Sequence, residues 1–308
     1  MTDDAHADTA RGVWAAVAAF VTWGFSPLYW HLLAAVPSLQ IVLHRVVWSA
    51  LFVSAVLVWR SGPGWLRQTL AGQSRLGWTL MASSLLIAGN WGLYIWAVNA
   101  GHVVEAALGY FINPLCNVVI GVLFLRERLR PMQWASVLVA LVGVGWLTVQ
   151  YGGLPWIALA LAVSFSLYGL LRKQAHVDPV AGLGVESAFL FLPGLAWLLW
   201  IELHGGGGFG HGYGTLGTLL LALSGVLTAL PLIGFAYAVR RIPLSVAGLL
   251  QYISPTLQFL VGVFLLHEAF DHGQLIGFIC IWIALALFVI DGLRSGRTPR
   301  EEELAEVV

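Results

Sequence analysis

The sequence predicts an all-α integral membrane protein of ten transmembrane helices, arranged as two inverted five-helix repeats. Three observations carry that expectation. Hydrophobic residues make up 59% of the 308 and charged residues only 10%, whereas a soluble domain is about half apolar and about a quarter charged. Too few charges remain to cover a surface that faces water. Cutting the chain at charge clusters and Gly/Pro turns leaves ten apolar stretches, each close to the ~20 residues that cross a bilayer as a helix. Finally, landmarks in the first half recur in the second at one constant offset, that between Pro114 and Pro255.

The expected spans run near 12–31, 38–59, 76–98, 102–125, 132–150, 154–171, 179–201, 215–239, 244–266 and 273–291. The segment before the first is acidic where a signal peptide would be basic, so the first run is expected to stay as an anchor. Only Asn99-Ala100-Gly101-His102 separates the third span from the fourth. Beyond the last span, the charged stretch Arg294 to Val308 is expected to be disordered. The organisation is then a tail at 1–10, a first repeat at 11–150, a second at 151–292 and a tail at 293–308.

Lys and Arg set the orientation. Arg60, Arg67 and Arg75 share one side of a ten-span chain with Arg126, Arg128 and Arg130, with Arg172 and Lys173, and with Arg240 and Arg241. Arg11 and the tail arginines fall on that side too. Cytoplasmic loops concentrate Lys and Arg, so both termini are expected in the cytoplasm of a cell whose inner (plasma) membrane holds the protein. Arg45 is the one basic residue this reading leaves inside a span. Zero formal net charge speaks against a nucleic-acid partner. Cys116 and Cys280 sit in apolar runs without CxxC or a His at ligand spacing, and read as small core hydrophobes.

The halves are related over residues 83–133, shifted by the Pro114–Pro255 offset. Ser83 lands on Ser224, Ala106 on Ala247, Pro114 on Pro255, Glu127 on Glu268 and Gln133 on Gln274. Apolar matches are cheap in an apolar chain; Pro, Glu and Gln at one offset are not. Five spans per repeat is an odd number, so the second copy enters the membrane from the opposite side. Such inverted repeats characterise secondary transporters, whose sites lie near the midplane between the halves.

The stretches HRVVWS (44–49), GNWGLYIWAVN (89–99), EAALGYFINPL (105–115) and RERLRPMQW (126–134) then become recognisable, with SFSLYGLLRK (164–173), ESAFLFLP (186–193) and QYISPTLQF (251–259) in the second half. Across about residues 11–292 the chain resembles the EamA-type drug/metabolite transporter superfamily, and within it the RarD-like permeases. The resemblance implies ten helices in two repeats, an inner-membrane location and transport of a small metabolite or drug.

Candidate chemistry follows from polar groups at membrane depth. Arg45 costs about 2.5–3.5 kcal/mol to insert, and such residues usually face a cavity. It is an anion site for substrate, a partner for an internal acid such as Glu186, or an Arg snorkelling to the surface. Glu186 is its counterpart at the repeat offset, a gate, substrate contact, proton carrier or structural carboxylate. Glu105 reads as a first-turn acid favoured by the helix dipole, and His44 as structural. Asn90, Trp91, Tyr94, Tyr110, Asn113, Gln251 and Tyr252 fall mid-span and should face the bundle interior, as a site lining or as helix-to-helix contacts. Pro114 and Pro255 each remove a helix hydrogen bond and are candidate hinges.

Two motifs mislead. Gly205, Gly207 and Gly210 match GxGxxG without a preceding strand and read as a flexible linker. The stretch from His267 to His272 resembles a zinc-protease motif, but its two His are five apart, off one helical face. No metal, cofactor or catalytic residue is expected. The functional expectation is a secondary-active permease for a small molecule, working by alternating access in the bilayer, with the coupling proton or ion and the oligomeric state left open. The alternative is a non-transporting membrane sensor or partner protein.

Overall fold

The computed structural model describes residues 2–100, 102–151, 155–265 and 272–295. Among these there is no strand. The helices are α1 (Thr2–His31), α2 (Ser38–Ser61), α3 (Trp65–Leu70), α4 (Ser74–Asn99), α5 (Val103–Leu125), α6 (Pro131–Tyr151), α7 (Trp156–Gln174), α8 (Pro179–Leu203), α9 (Gly214–Val239), α10 (Leu244–Gln251), α11 (Ile253–Leu260) and α12 (His272–Ser295). A wide π-type turn, Val261–Leu265, continues α11. Glu268, the stretch 267–271 and the tail beyond Ser295 lie outside the described residues.

Nine helical segments among the described residues are long and apolar enough to cross a membrane. The chain is thus a multi-pass membrane protein. α4, 26 residues long, stands apart from that set; its second half carries Asn90, Trp91 and Tyr94. The outer surface is what lipid demands, with large apolar side chains facing outward: Trp59 is 86% exposed, Val149 76% and Leu192 70%.

Helix ends are fixed by local chemistry. At the start of α8, Asp178 accepts from the backbone N–H of Val180 and Ala181, both at 3.1 Å, and Pro179 occupies the first turn. This is the usual pairing of an acidic cap with a proline whose missing N–H costs nothing there. α5 ends at Arg126, which adopts a left-handed φ of 56°.

The helices α6 and α12 pair with each other at one edge. Elsewhere α1 packs on α9, α10 and α11, while α7 packs on α4 and α5; α2 bridges α8 and α9. Small residues set the closest crossings, as they do in bilayers. Gly143 of α6 lies against the Gly277 carbonyl of α12, and Gly225 of α9 lies against the Trp48–Ser49 backbone of α2. A Cβ added at Gly225 would overlap the Trp48 carbonyl carbon. Gly225→Val is therefore expected to cost about 1–3 kcal/mol by overpacking, read as a lower unfolding temperature in detergent. Gly145→Ala, which meets nothing within 4 Å, is the control. Equal unfolding temperatures for the two would contradict this account of the α2–α9 crossing.

Candidate functional site

One large cavity, about 520 Å³, lies between α1, α2, α4, α5, α7, α9, α10 and α11. That volume falls in the range of small-molecule sites. Its lining reaches His31 and Ser38 at the α1–α2 turn, the end of the bundle opposite Arg126–Arg130 and Arg240–Arg241. Towards the basic end, the rings of Phe20, Trp23, Phe165, Tyr168 and Phe235 pack into a plug, with neighbouring centroids 5.5 to 6.3 Å apart. Phe20, Tyr168 and Phe235 are completely buried.

The structure brings together Arg45, Asn90, Trp91, Tyr94, Tyr110, Asn113 and Gln251 on the cavity wall, as well as Pro255. Arg45 sits seven residues into α2, or ~10 Å from its start. Its Nε donates to Thr228 Oγ1 at 2.9 Å. Its guanidinium carbon lies 4.8 Å from the Trp30 ring centroid and 4.9 Å from that of Trp91, within cation–π range. Arg45 joins no salt bridge among the described residues. The rings of Tyr94 and Tyr110 meet edge to face, 6.0 Å apart.

The amides tie the walls together. Asn90 Nδ2 donates to the Leu161 carbonyl at 2.8 Å and to Ser164 Oγ at 2.9 Å, fixing α4 to α7. Asn113 Nδ2 donates to the Ala162 carbonyl at 3.1 Å, and Asn117 Nδ2 to Gln251 Oε1 at 2.8 Å. On the floor, Ser254 donates to the Phe20 carbonyl and Gln258 to that of Trp23. Pro114 withdraws the N–H that would bond the Tyr110 carbonyl four residues back, and Pro255 does the same for Gln251. Tyr110 and Gln251 both line the cavity.

Several expectations need correction. Tyr252 is not on the wall: it is completely buried, and its hydroxyl donates to the Phe111 carbonyl at 3.2 Å. Glu186 does not pair with Arg45. It faces Arg172 NH1 at 3.4 Å and accepts a hydrogen bond from Ser83, with both ionic side chains 2% exposed. Arg172 is thus no loop residue. α7 runs on to Gln174 and turns Arg172 inward, where NH2 also donates to the Pro179 carbonyl at 3.1 Å. The two prolines are not matched breaks either. α5 runs unbroken through Pro114, whereas the second-half helix is interrupted at Tyr252 and widens at Val261–Leu265. One missing N–H is tolerated where neighbours stabilise the helix. Glu105 does lie in the first turn of α5 and, beyond that expectation, also accepts from the Ile157 N–H of α7 at 2.7 Å.

The glycine-rich segment 204–213 is not a loose linker. Gln40 Nε2 donates to the Gly206 carbonyl at 2.6 Å, and Tyr213 Oη donates to Gln40 Oε1 at 2.6 Å. Phe209 stacks on His44 with centroids 4.8 Å apart. This holds the segment over the α2 start, beside the Ser38 edge of the cavity. At the basic end, Glu127 accepts from the Leu244 and Ser245 N–H groups at 2.7 and 2.9 Å, while Lys173 donates to the Val239 and Ile242 carbonyls at 3.0 and 2.7 Å. An acid on a helix start and a cation on a helix end both complement the helix dipoles. None of these tertiary partners has a signal in local sequence; only the polar identity of Gln40 and Thr228 at span depth could have marked them.

Comparison with known proteins places this architecture. The chain matches the EamA-like transporter family twice, over residues 10–149 and 153–290. It is 46% identical to "Protein RarD" of Streptomyces exfoliatus over 283 residues, 92% of this chain and 89% of that one. It is 40% identical to "Protein RarD" of Escherichia coli K12, over 94% and 97% of the two chains. It is 36% identical to the "Chloramphenicol-sensitive protein RarD" of Pseudomonas aeruginosa, over 93% and 96%. One solved crystal structure shares the fold at a TM-score of 0.68 and 22% identity, covering 91% of this chain and 97% of that one. A full-length match at such identity, on an all-helical membrane bundle with a central cavity, shows that the chain belongs to the EamA-like transporter family, among its RarD-like members.

Proposed function

We propose that the protein is a secondary-active permease that moves a small organic solute across the inner membrane by alternating access, through the cavity around Arg45. The carrying observation is a ligand-sized cavity lined by eight helices, reaching His31 and Ser38 at one end and bordered towards the other by the packed aromatic cluster that includes Trp23 and Phe165. In this reading both termini are cytoplasmic, ten helices cross the bilayer with α10 and α11 counted as one, and the present state faces out.

The packing supports two inverted repeats. Shifting by the Pro114–Pro255 offset exchanges the contact of α1 on α9 with that of α7 on α4, and the contact of α1 on α10 and α11 with that of α7 on α5. Two halves of opposite orientation that swap conformations convert an outward cavity into an inward one. The interruption at Tyr252, just before Pro255, is the point about which such a swap would turn.

Thr22 lines the cavity and spends its hydroxyl only on its own helix. In a Cys116→Ala/Cys280→Ala background, Thr22→Cys is expected to react with a membrane-impermeant thiol reagent from either face of sealed vesicles, right-side-out or inverted. Reaction from one face alone under every condition would defeat alternating access.

A further inference from the structure

We infer that the cavity selects small monoanions, a carboxylate on a flat apolar body, with Arg45 as the anion contact. The inference rests on the reading of this cavity as the solute site and names the class of solute.

Charge comes first. Arg45 is the only Lys, Arg, Asp or Glu side chain lining the cavity among the described residues. A guanidinium stays protonated, and a charge taken out of water without a partner is costly. Elsewhere among the described residues, buried or part-buried cations have acids: Arg172 has Glu186, Lys173 has Glu127 and Arg241 has Asp8. Arg45 has the Thr228 hydroxyl and two indole faces instead. These neutral contacts orient the group and offset its charge in part, but none carries a full negative charge. A cationic solute would be repelled, and a neutral one would leave the charge as it is. An anion supplies the missing partner.

Geometry then narrows the anion. Thr228 occupies Nε, so the two terminal nitrogens present the remaining N–H donors, a planar fork matched to a carboxylate. Gln251 accepts from Asn117 through Oε1, which leaves its amide nitrogen as a further donor on the wall. A single cation balances a single charge, so a dianionic phosphate would carry one charge unpaired. Indole, phenol and phenyl rings of Trp23, Trp91, Tyr94, Tyr110 and Phe165 share the wall with these polar groups, and such ring faces suit a flat apolar body.

Four probes of one shape separate the classes: 2-naphthoate, 2-naphthamide, 2-naphthylmethylammonium and 2-naphthyl phosphate, each titrated into the purified full-length protein by calorimetry. Naphthoate is expected to bind about ten- to a hundredfold more tightly than the amide, as hydrogen bonds to a charged group imply. The ammonium should bind most weakly, and the phosphate below naphthoate. Arg45→Gln should erase the preference for naphthoate over the amide, while Arg45→Lys keeps part of it. Equal or better binding of the amide or the ammonium by the wild type overturns the proposal, as does no binding of any probe. A preference that survives in folded Arg45→Gln overturns it too, and tighter phosphate binding makes the site one for phosphate esters instead. If Arg45→Gln does not fold, the wild-type ranking decides alone. Binding is read without flux, so a protein that binds naphthoate and never moves it keeps this inference and loses the transport reading.

Discussion

Proteoliposomes carrying Arg45→Ala are expected to take up labelled 2-naphthoate at less than about a tenth of the wild-type rate, while the protein reaches the membrane in normal amount. The loss follows from the position of the group. Removing one partner of a desolvated, hydrogen-bonded ion contact costs about 2–5 kcal/mol, and each 1.4 kcal/mol is about tenfold in affinity. Insertion itself should become easier, because a centrally placed Arg costs about 2.5–3.5 kcal/mol on insertion scales. Arg45→Lys keeps the charge but loses the Nε bond to Thr228 and the planar contact with Trp30 and Trp91, so it should fall between. Adding Glu186→Gln to Arg45→Ala should restore nothing, since the cation facing Glu186 is Arg172. Wild-type uptake by Arg45→Ala would leave Arg45 with no part in the solute path.

Bilayer physics makes a bundle of this kind readable. A lipid-spanning helix must be ~20 residues long and apolar, so most expected spans fall on single long helices. The one near 244–266 falls instead on α10, α11 and the π-type turn, and α4 with its polar half falls short of the apolar criterion. The same physics flags Arg45, Asn90 and Asn113, because a polar group at that depth faces inward. What the sequence hides is helix rotation and distance along the chain. Arg172 reads as part of a loop because Lys173 follows it and the apolar run has ended. One further turn of α7 carries it into a buried pair with Glu186. Tyr252 sits one residue from the cavity-lining Gln251, and about 100° around a helix is enough to send it into the α5 contact instead. The segment 204–213 is glycine-rich, which signals flexibility, yet its order comes from Gln40, His44 and Glu202. Gln40 is 166 positions from its partner Gly206. No local pattern encodes such a contact.

The Arg172–Glu186 pair makes the second large prediction, on stability. Ser83 of α4, Arg172 of α7 and Glu186 of α8 meet at one buried point, and Pro179 at the α8 start supplies a carbonyl to the same guanidinium. The three helices are held by charge where lipid-like packing would otherwise leave them free to slide. Arg172→Met removes the only basic side chain paired with Glu186 among the described residues and leaves a carboxylate buried without its cation. Breaking such a pair from one side costs about 3–5 kcal/mol, whereas replacing both members with neutral groups is often close to neutral. Arg172→Met is therefore expected to lower the unfolding temperature sharply, and Glu186→Gln alone to do so through the orphaned guanidinium. The double variant Arg172→Met/Glu186→Gln should recover most of the loss, because Gln still accepts from Ser83 and no net charge remains in the bundle. Gly182 adds an independent check. A Cβ there would collide with Arg172 NH1 and would also press on the Val177 methyl, so Gly182→Ala should destabilise the wild type and should do so less once Arg172 is Met, with only the Val177 contact left to relieve. A double variant no more stable than Arg172→Met alone would mean that α7 and α8 are held by packing and not by this ion pair.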